Sequence, residues 1–169
     1  MRGNIIHRLM QSLPDLAPDR RAPAAQRFLV RQNELTEAER DEISSQVLNI
    51  LADASFGPLF APGSRAEVAI AARLGDRPLP GQVDRLVVTP EMVLIADYKS
   101  DRLAPRSLEV ALSRHGSYVR QLAFYRGVLM RLYPDRPVHA ALLWTETAAL
   151  MEIPAKTLDL ALKDALTPA

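Results

Sequence analysis

No cysteine occurs among the 169 residues, which excludes disulfides, thiolate zinc sites, iron–sulfur clusters and cysteine nucleophiles together. The redox compartment is left open. Aromatic residues make up only 5%. Candidates for base stacking reduce to Tyr98, Tyr118 and Trp144, and the apolar run around Trp144 suits it to a core. No apolar run approaches a membrane span. The Ile5-Ile6 pair is interrupted by His7 and Arg8, too soon for a secretory signal, so the expected location is the cytoplasm. A Gly-rich phosphate loop ending in Lys-Ser/Thr is also missing, so this stretch is no nucleotide-hydrolysing motor and binds no nucleotide. Lysine is scarce: of 21 basic residues only Lys99, Lys156 and Lys163 are lysine. A lysine inside a strand is therefore informative, because an ammonium is a compact charge whose pKa can shift.

What is present fits one globular domain. The chain is 48% hydrophobic and 24% charged with a net charge of +1, so any site for a polyanion must be a local patch. Apolar spacing predicts a helix over 3–13, stopped by Pro14, and a second over about 22–32. Thr36 followed by Glu39 is a capping box opening a third helix that runs to about residue 54. Residues 56–64 read as a loop. The period then becomes strand-like: strands are predicted over 65–73, 82–88 and 93–99, with a turn over 74–80 and a loop over 101–107. A long helix follows over 117–133, then a strand pair over 138–145 and 150–153 and a terminal helix over 157–166. Helices, a meander, a crossing helix and more strands make an α/β domain with a mixed sheet of about five strands.

The chemistry gathers on the hairpin joined by Thr89-Pro90-Glu91-Met92. Pairing Val88 with Val93 sets Asp84 opposite Asp97, with Cβ atoms roughly 5 Å apart. Lys99 shares their face while Tyr98 points to the other. Two ionised carboxylates so close repel each other, and a divalent cation is the natural compensation. A metal beside an ammonium is equipped for phosphodiester hydrolysis. The plain alternative is a buried ion pair between Lys99 and one Asp, which leaves the second Asp uncompensated.

Three ordered segments carry a resemblance: Gly81-Gln82-Val83-Asp84-Arg85-Leu86; Val93-Leu94-Ile95-Ala96-Asp97-Tyr98-Lys99-Ser100; and Gln121-Leu122-Ala123-Phe124-Tyr125. Together they resemble the PD-(D/E)XK nuclease superfamily in its RecB-like branch, and within it the C-terminal nuclease domain of an AddA-type helicase-nuclease. Gln-x-x-x-Tyr is that branch's signature, and residues 3–11 look like the upstream helix that supplies a metal-binding His. Three departures are visible. Ser100 stands where Thr is commoner, Val83 rather than Pro precedes Asp84, and the Cys cluster of the AddB-like and Cas4-like relatives is absent.

The resemblance implies a restriction-endonuclease-like fold and a Mg²⁺-dependent exonuclease-type DNA nuclease, with Mn²⁺ as an alternative ion, serving double-strand-break repair and recombination. It implies Asp84, Asp97 and Lys99 as catalytic residues, and His7, Asp84, Asp97 and the backbone carbonyl of Tyr98 as metal ligands. Gln121 and Tyr125 would meet DNA or brace the active-site strand; by spacing alone they satisfy one another's hydrogen bonds. Arg85 and Arg120 would likewise meet DNA or support the active site; with Arg102, Arg106, Arg114 and Arg126 they surround the motifs and offer a groove for a single strand, although a solvated helix face accounts for some of them. Glu67 resembles an acidic position of the family; a surface charge on an edge strand is its other reading. His115 and His139 show no partner pattern and are left structural. The implied partners are DNA, single-stranded at the site, the helicase portion of a longer parent protein and an AddB-type subunit. The whole of 1–169 is expected to be one nuclease domain: a helical segment over 1–55, the catalytic sheet with its crossing helix over 65–153, and a terminal helix over 155–169. A catalytically silent DNA-binding or subunit-docking module of the same fold is the competing expectation.

Overall fold

A computed structural model describes residues 2–74, 77–101, 104, 105 and 107–166, with the backbone alone for 72–74 and 77–80. Helix α1 spans Arg2–Ser12, α2 Pro18–Val30 and α3 Glu37–Ala52, followed by a short 3-10 helix over Ala54–Phe60. Strands β1 (Arg65–Leu74), β2 (Arg77–Val88) and β3 (Val93–Lys99) form the meander. Helices α4 (Leu108–Arg114) and α5 (Gly116–Leu132) cross over to β4 (Val138–Trp144), with β5 (Ala149–Glu152) and α6 (Ala155–Leu166) closing the chain. The sheet order is β1-β2-β3-β4-β5. β3 and β4 are parallel and the other pairs antiparallel. This is the expected mixed five-stranded sheet with flanking helices. Among the described residues no helix is long and apolar enough to cross a membrane.

Both faces of the sheet are covered, which is why β3 reads as a nearly unbroken apolar run. Val87, Leu94, Ala96, Tyr98 and Leu143 pack under α1, α2 and α3 with Ile6, Leu9, Leu29, Ile43 and Ile50. On the other face Leu86, Val93, Ile95, Leu142 and Trp144 pack under α5 with Leu122, Ala123 and Leu129, joined by Leu158 of α6.

Several boundaries differ from the sequence expectation. α2 starts at Pro18, not near 22, because proline is pre-shaped for the first helical position. The segment read as loop over 56–64 is partly 3-10 helix, started by Asp53, whose side chain accepts from the Ser55 N–H. The turn expected over 74–80 is largely strand: Pro78 pairs with Arg73 and Pro80 with Ala71. There β2 has a neighbour on one side only, since its pairing with β3 begins at Arg85, and a proline on an unpaired edge costs no ladder bond. Helix α4 lies where the sequence reading placed no element. Its signal is local: the Ser107 side chain accepts from the Val110 N–H and opens a single helical stretch.

Candidate active site

The hairpin register holds as far as the site and then breaks. Val88 pairs with Val93, and the ladder runs to Arg85 opposite Ala96 and stops. The next pair in frame is Asp84 and Asp97. Instead of a backbone bond, the Asp84 carboxylate reaches across, its Oδ2 accepting the Tyr98 N–H at 2.6 Å. The strands part here, and the gap is filled by an acidic side chain.

β1 bends at the same level. Glu67 lies between the pairs Ala66–Arg85 and Val68–Val83, in frame with Asp84, and has φ +52°. That left-handed conformation costs a residue with a side chain about 1–3 kcal/mol and recurs at functional sites. Strand alternation slips in step. Val83 and Leu86, three apart, both face the core under α5, whereas strict alternation would send them to opposite sides.

The bend and the gap bring together three side chains whose atoms could hold a metal ion. Atoms of His7, Glu67 and Asp84 all lie within 4.8 Å of one another. His7 Nδ1 is 3.6 Å from Asp84 Oδ1, and the imidazole meets the Tyr98 ring edge-on at 5.7 Å. Burial pulls the His7 pKa down, but the Asp84 carboxylate, with Asp97 and Glu67 behind it, outweighs that and raises it. Burial and the neighbouring Asp84 raise Glu67 as well. Two carboxylates and one imidazole form an oxygen-rich set that suits a hard divalent cation.

Asp97 does not join that set. It is 4% exposed, and its Oδ2 is ion-paired with the Lys99 ammonium. The ammonium sits 3.9 Å from the centroid of the Tyr118 ring. Burial raises the Asp97 pKa, Lys99 works against that, and Asp84 adds to it, so the two aspartates sense each other across the gap. Asp84 and Asp97 stay in frame across the gap, but their other partners differ. Asp84 belongs with His7 and Glu67, and Asp97 with Lys99. Tyr98 points to the other face, as alternation demands; burial pushes its hydroxyl up to about 12.

Gln121 and Tyr125 face β2. The Tyr125 hydroxyl accepts from the Gln82 N–H at 3.2 Å and from Gln121 Nε2 at 3.0 Å. Gly81 is a glycine because a Cβ there would run into the Tyr125 ring. The pair thus braces the strand that carries Asp84. On the same helix Arg120 is exposed.

The DNA-contact reading of Arg85 requires correction, and its support of the site does not. It is 0% exposed, held inside the α1 face by Tyr98, Ser64 and Met10. A guanidinium enclosed there does not reach a DNA backbone. Arg126 is likewise buried, bonding the Val138 carbonyl and Asp159, while Arg114 is exposed. Arg102 and Arg106 fall outside the described residues. Trp144 is fully buried, as its apolar strand suggests. His115 stacks on Tyr118 at 5.1 Å, and His139 Nδ1 is 2.7 Å from Glu152. The sequence reading missed the seat of Lys99 against Tyr118 and the reason Glu67 reaches the site. The first had a signal, a tyrosine one turn before Gln121. The second had none, because a left-handed glutamate leaves no mark in a sequence.

The family model described as the PD-(D/E)XK nuclease superfamily matches residues 1–164. No curated protein matches the chain. A solved structure titled "Crystal structure of SSO0001" is similar over 95% of this chain and 73% of that one, with 14% identity and a TM-score of 0.36.

Proposed function

This chain belongs to the PD-(D/E)XK nuclease superfamily, and from that premise we propose that it hydrolyses DNA phosphodiesters with a bound divalent ion, Mg²⁺ before Mn²⁺. The observation that carries the reading is the cluster of His7, Glu67 and Asp84 set against the Asp97–Lys99 pair at the end of β3. His7, Glu67 and Asp84 would hold the ion, with Asp97 and the Tyr98 carbonyl as the further ligands implied by the motif. Bound there, the ion supplies Lewis-acid polarisation of a phosphoryl oxygen and neutralises charge. The chain's own groups do the rest. The Tyr98 N–H orients the Asp84 carboxylate. Lys99, seated between Asp97 and Tyr118, presents an ammonium to charge growing on the phosphate as water adds and the P–O bond breaks. Gln121 and Tyr125 keep β2 in place, and exposed Arg120 contributes to a phosphate-binding rim.

The finer reading follows from the Gln-x-x-x-Tyr element and the upstream His helix. The chain acts as an exonuclease-type module of an AddA-type helicase-nuclease in double-strand-break repair and recombination, in the cytoplasm. It receives a single strand from a motor portion and works beside an AddB-type subunit. The test is cleavage of single- and double-stranded DNA in Mg²⁺ by the native chain, Asp97→Ala and Lys99→Ala. Each substitution is expected to lower the rate about a hundredfold or more. Three equal rates would remove the enzyme and leave a DNA-binding module of the same fold.

A further inference from the structure

Arg85 is a buried cation without a carboxylate partner among the described residues, and its hydrogen bonds run to three separate parts of the chain. Nε donates to the Tyr98 hydroxyl at 3.3 Å, Nη1 to Ser64 Oγ at 3.4 Å, and Nη2 to the Met10 carbonyl at 3.2 Å. Its guanidinium carbon lies 5.1 Å from the centroid of Phe60. Met10 belongs to the last turn of α1, where carbonyls lack partners within the helix and the helix dipole gathers partial negative charge. The end of α1 therefore takes the place of a counter-ion. Packing alone does not ask for this, since an apolar side chain of similar length would fill the slot without removing a charge from water.

The geometry points to Arg85 as a positioning residue for the metal centre, an inference that rests on the metal-site part of the function proposed above. Two ligands are referenced to this one guanidinium. Arg85 bonds the Tyr98 hydroxyl, while the backbone N–H of the same tyrosine holds Asp84. It also bonds the Met10 carbonyl, three residues beyond His7 on the same helix. The result is a closed circuit, from Asp84 through Arg85 and α1 to His7 and back to Asp84. Within it, sliding of α1 along the sheet would separate His7 from Asp84 and is opposed at Met10. Arg85 follows Asp84 directly in β2, and its side chain enters the face covered by α1, the helix that carries His7.

The test is titration of the intact chain with Mn²⁺, without DNA, following free Mn²⁺ by electron paramagnetic resonance, with melting in chelator as a second readout. Native chain, Asp84→Asn, Arg85→Met, Arg85→Lys and Tyr98→Phe are compared. The expected result is tight binding by the native chain and loss in Asp84→Asn. Arg85→Met should bind about tenfold or more weakly, with Arg85→Lys between it and the native chain. Tyr98→Phe, which keeps the backbone and removes one acceptor, should bind several-fold more weakly. Arg85→Met melting like the native chain yet binding Mn²⁺ weakly separates positioning from plain stability. Native-like Mn²⁺ affinity in Arg85→Met overturns the inference, and if that variant does not fold, native-like affinity in Tyr98→Phe overturns it. Native chain and Asp84→Asn binding alike would instead remove the metal site itself.

Discussion

Asp84, Glu67 and His7 confine two acids and a base within a few ångströms, and the titrations of His7 and Glu67 are linked to folding. The His7 pKa is raised from its ordinary 6.5. A group whose folded pKa is raised contributes stability in full below its unfolded value and loses it as pH climbs through the folded one. Glu67 and Asp97 are raised from 4.5 and 3.8 and act in the same sense, since burial penalises their ionised forms. The metal-free protein should therefore lose thermal stability as pH rises, the His7 part being lost as pH climbs above 6.5. Melting curves in chelator across that range should show it, with a flatter slope for His7→Gln. Millimolar Mg²⁺ should reverse the slope, because the ion competes with those protons. At this scale the sequence was informative about residue types and less so about pairing. Asp84, Asp97 and Lys99 were legible from strand alternation and like-charge repulsion. That the Asp84 carboxylate would accept the Tyr98 N–H depends on where the ladder stops, a property of two strands in three dimensions.

Among the elements, α5 and β2 meet most tightly at Gly81. A Cβ there overlaps the Tyr125 ring, and that tyrosine cannot swing aside without releasing both Gln82 and Gln121. Gly81→Ala should destabilise the protein by about 1–3 kcal/mol, the usual range for overpacking, measured by chemical denaturation. A Gly81→Ala chain as stable as the native one would show that the brace is loose. Element boundaries were legible where chemistry marks them. The Thr36 and Glu39 box stands as read, with reciprocal bonds between side chains and backbone. The early start of β2 was hidden by its prolines, which signal a turn until one knows that only one edge of the strand is paired. α4 was hidden because seven residues hold too few turns to display a period.

For the whole molecule, the consequence of building a site from α1, β1, β2 and β3 is that a ligand bound there ties the two halves of the fold together. Mg²⁺ or Mn²⁺ at one hundred times its dissociation constant should add about 2.7 kcal/mol to stability, seen as a higher melting midpoint. Asp84→Ala should abolish the rise. Equal midpoints with and without ion in the native chain would speak against a metal centre. The mixed sheet was readable from the order of periods along the chain, helical, then alternating, then helical, then alternating again. The layering was readable too, since a strand apolar on both faces requires cover on both.

The place of β3 between β2 and β4 also bears on synthesis. On the ribosome α1 emerges first and the hairpin carrying Asp84 and Asp97 next, but the strand that flanks β3 on its far side, ending at Trp144, comes only after two further helices have been made. A nascent chain thus holds His7, Glu67, Asp84, Asp97 and Lys99 while β3 still lacks its parallel neighbour, so the two-sided setting of Asp97 and Lys99 is completed only once residue 144 has been made.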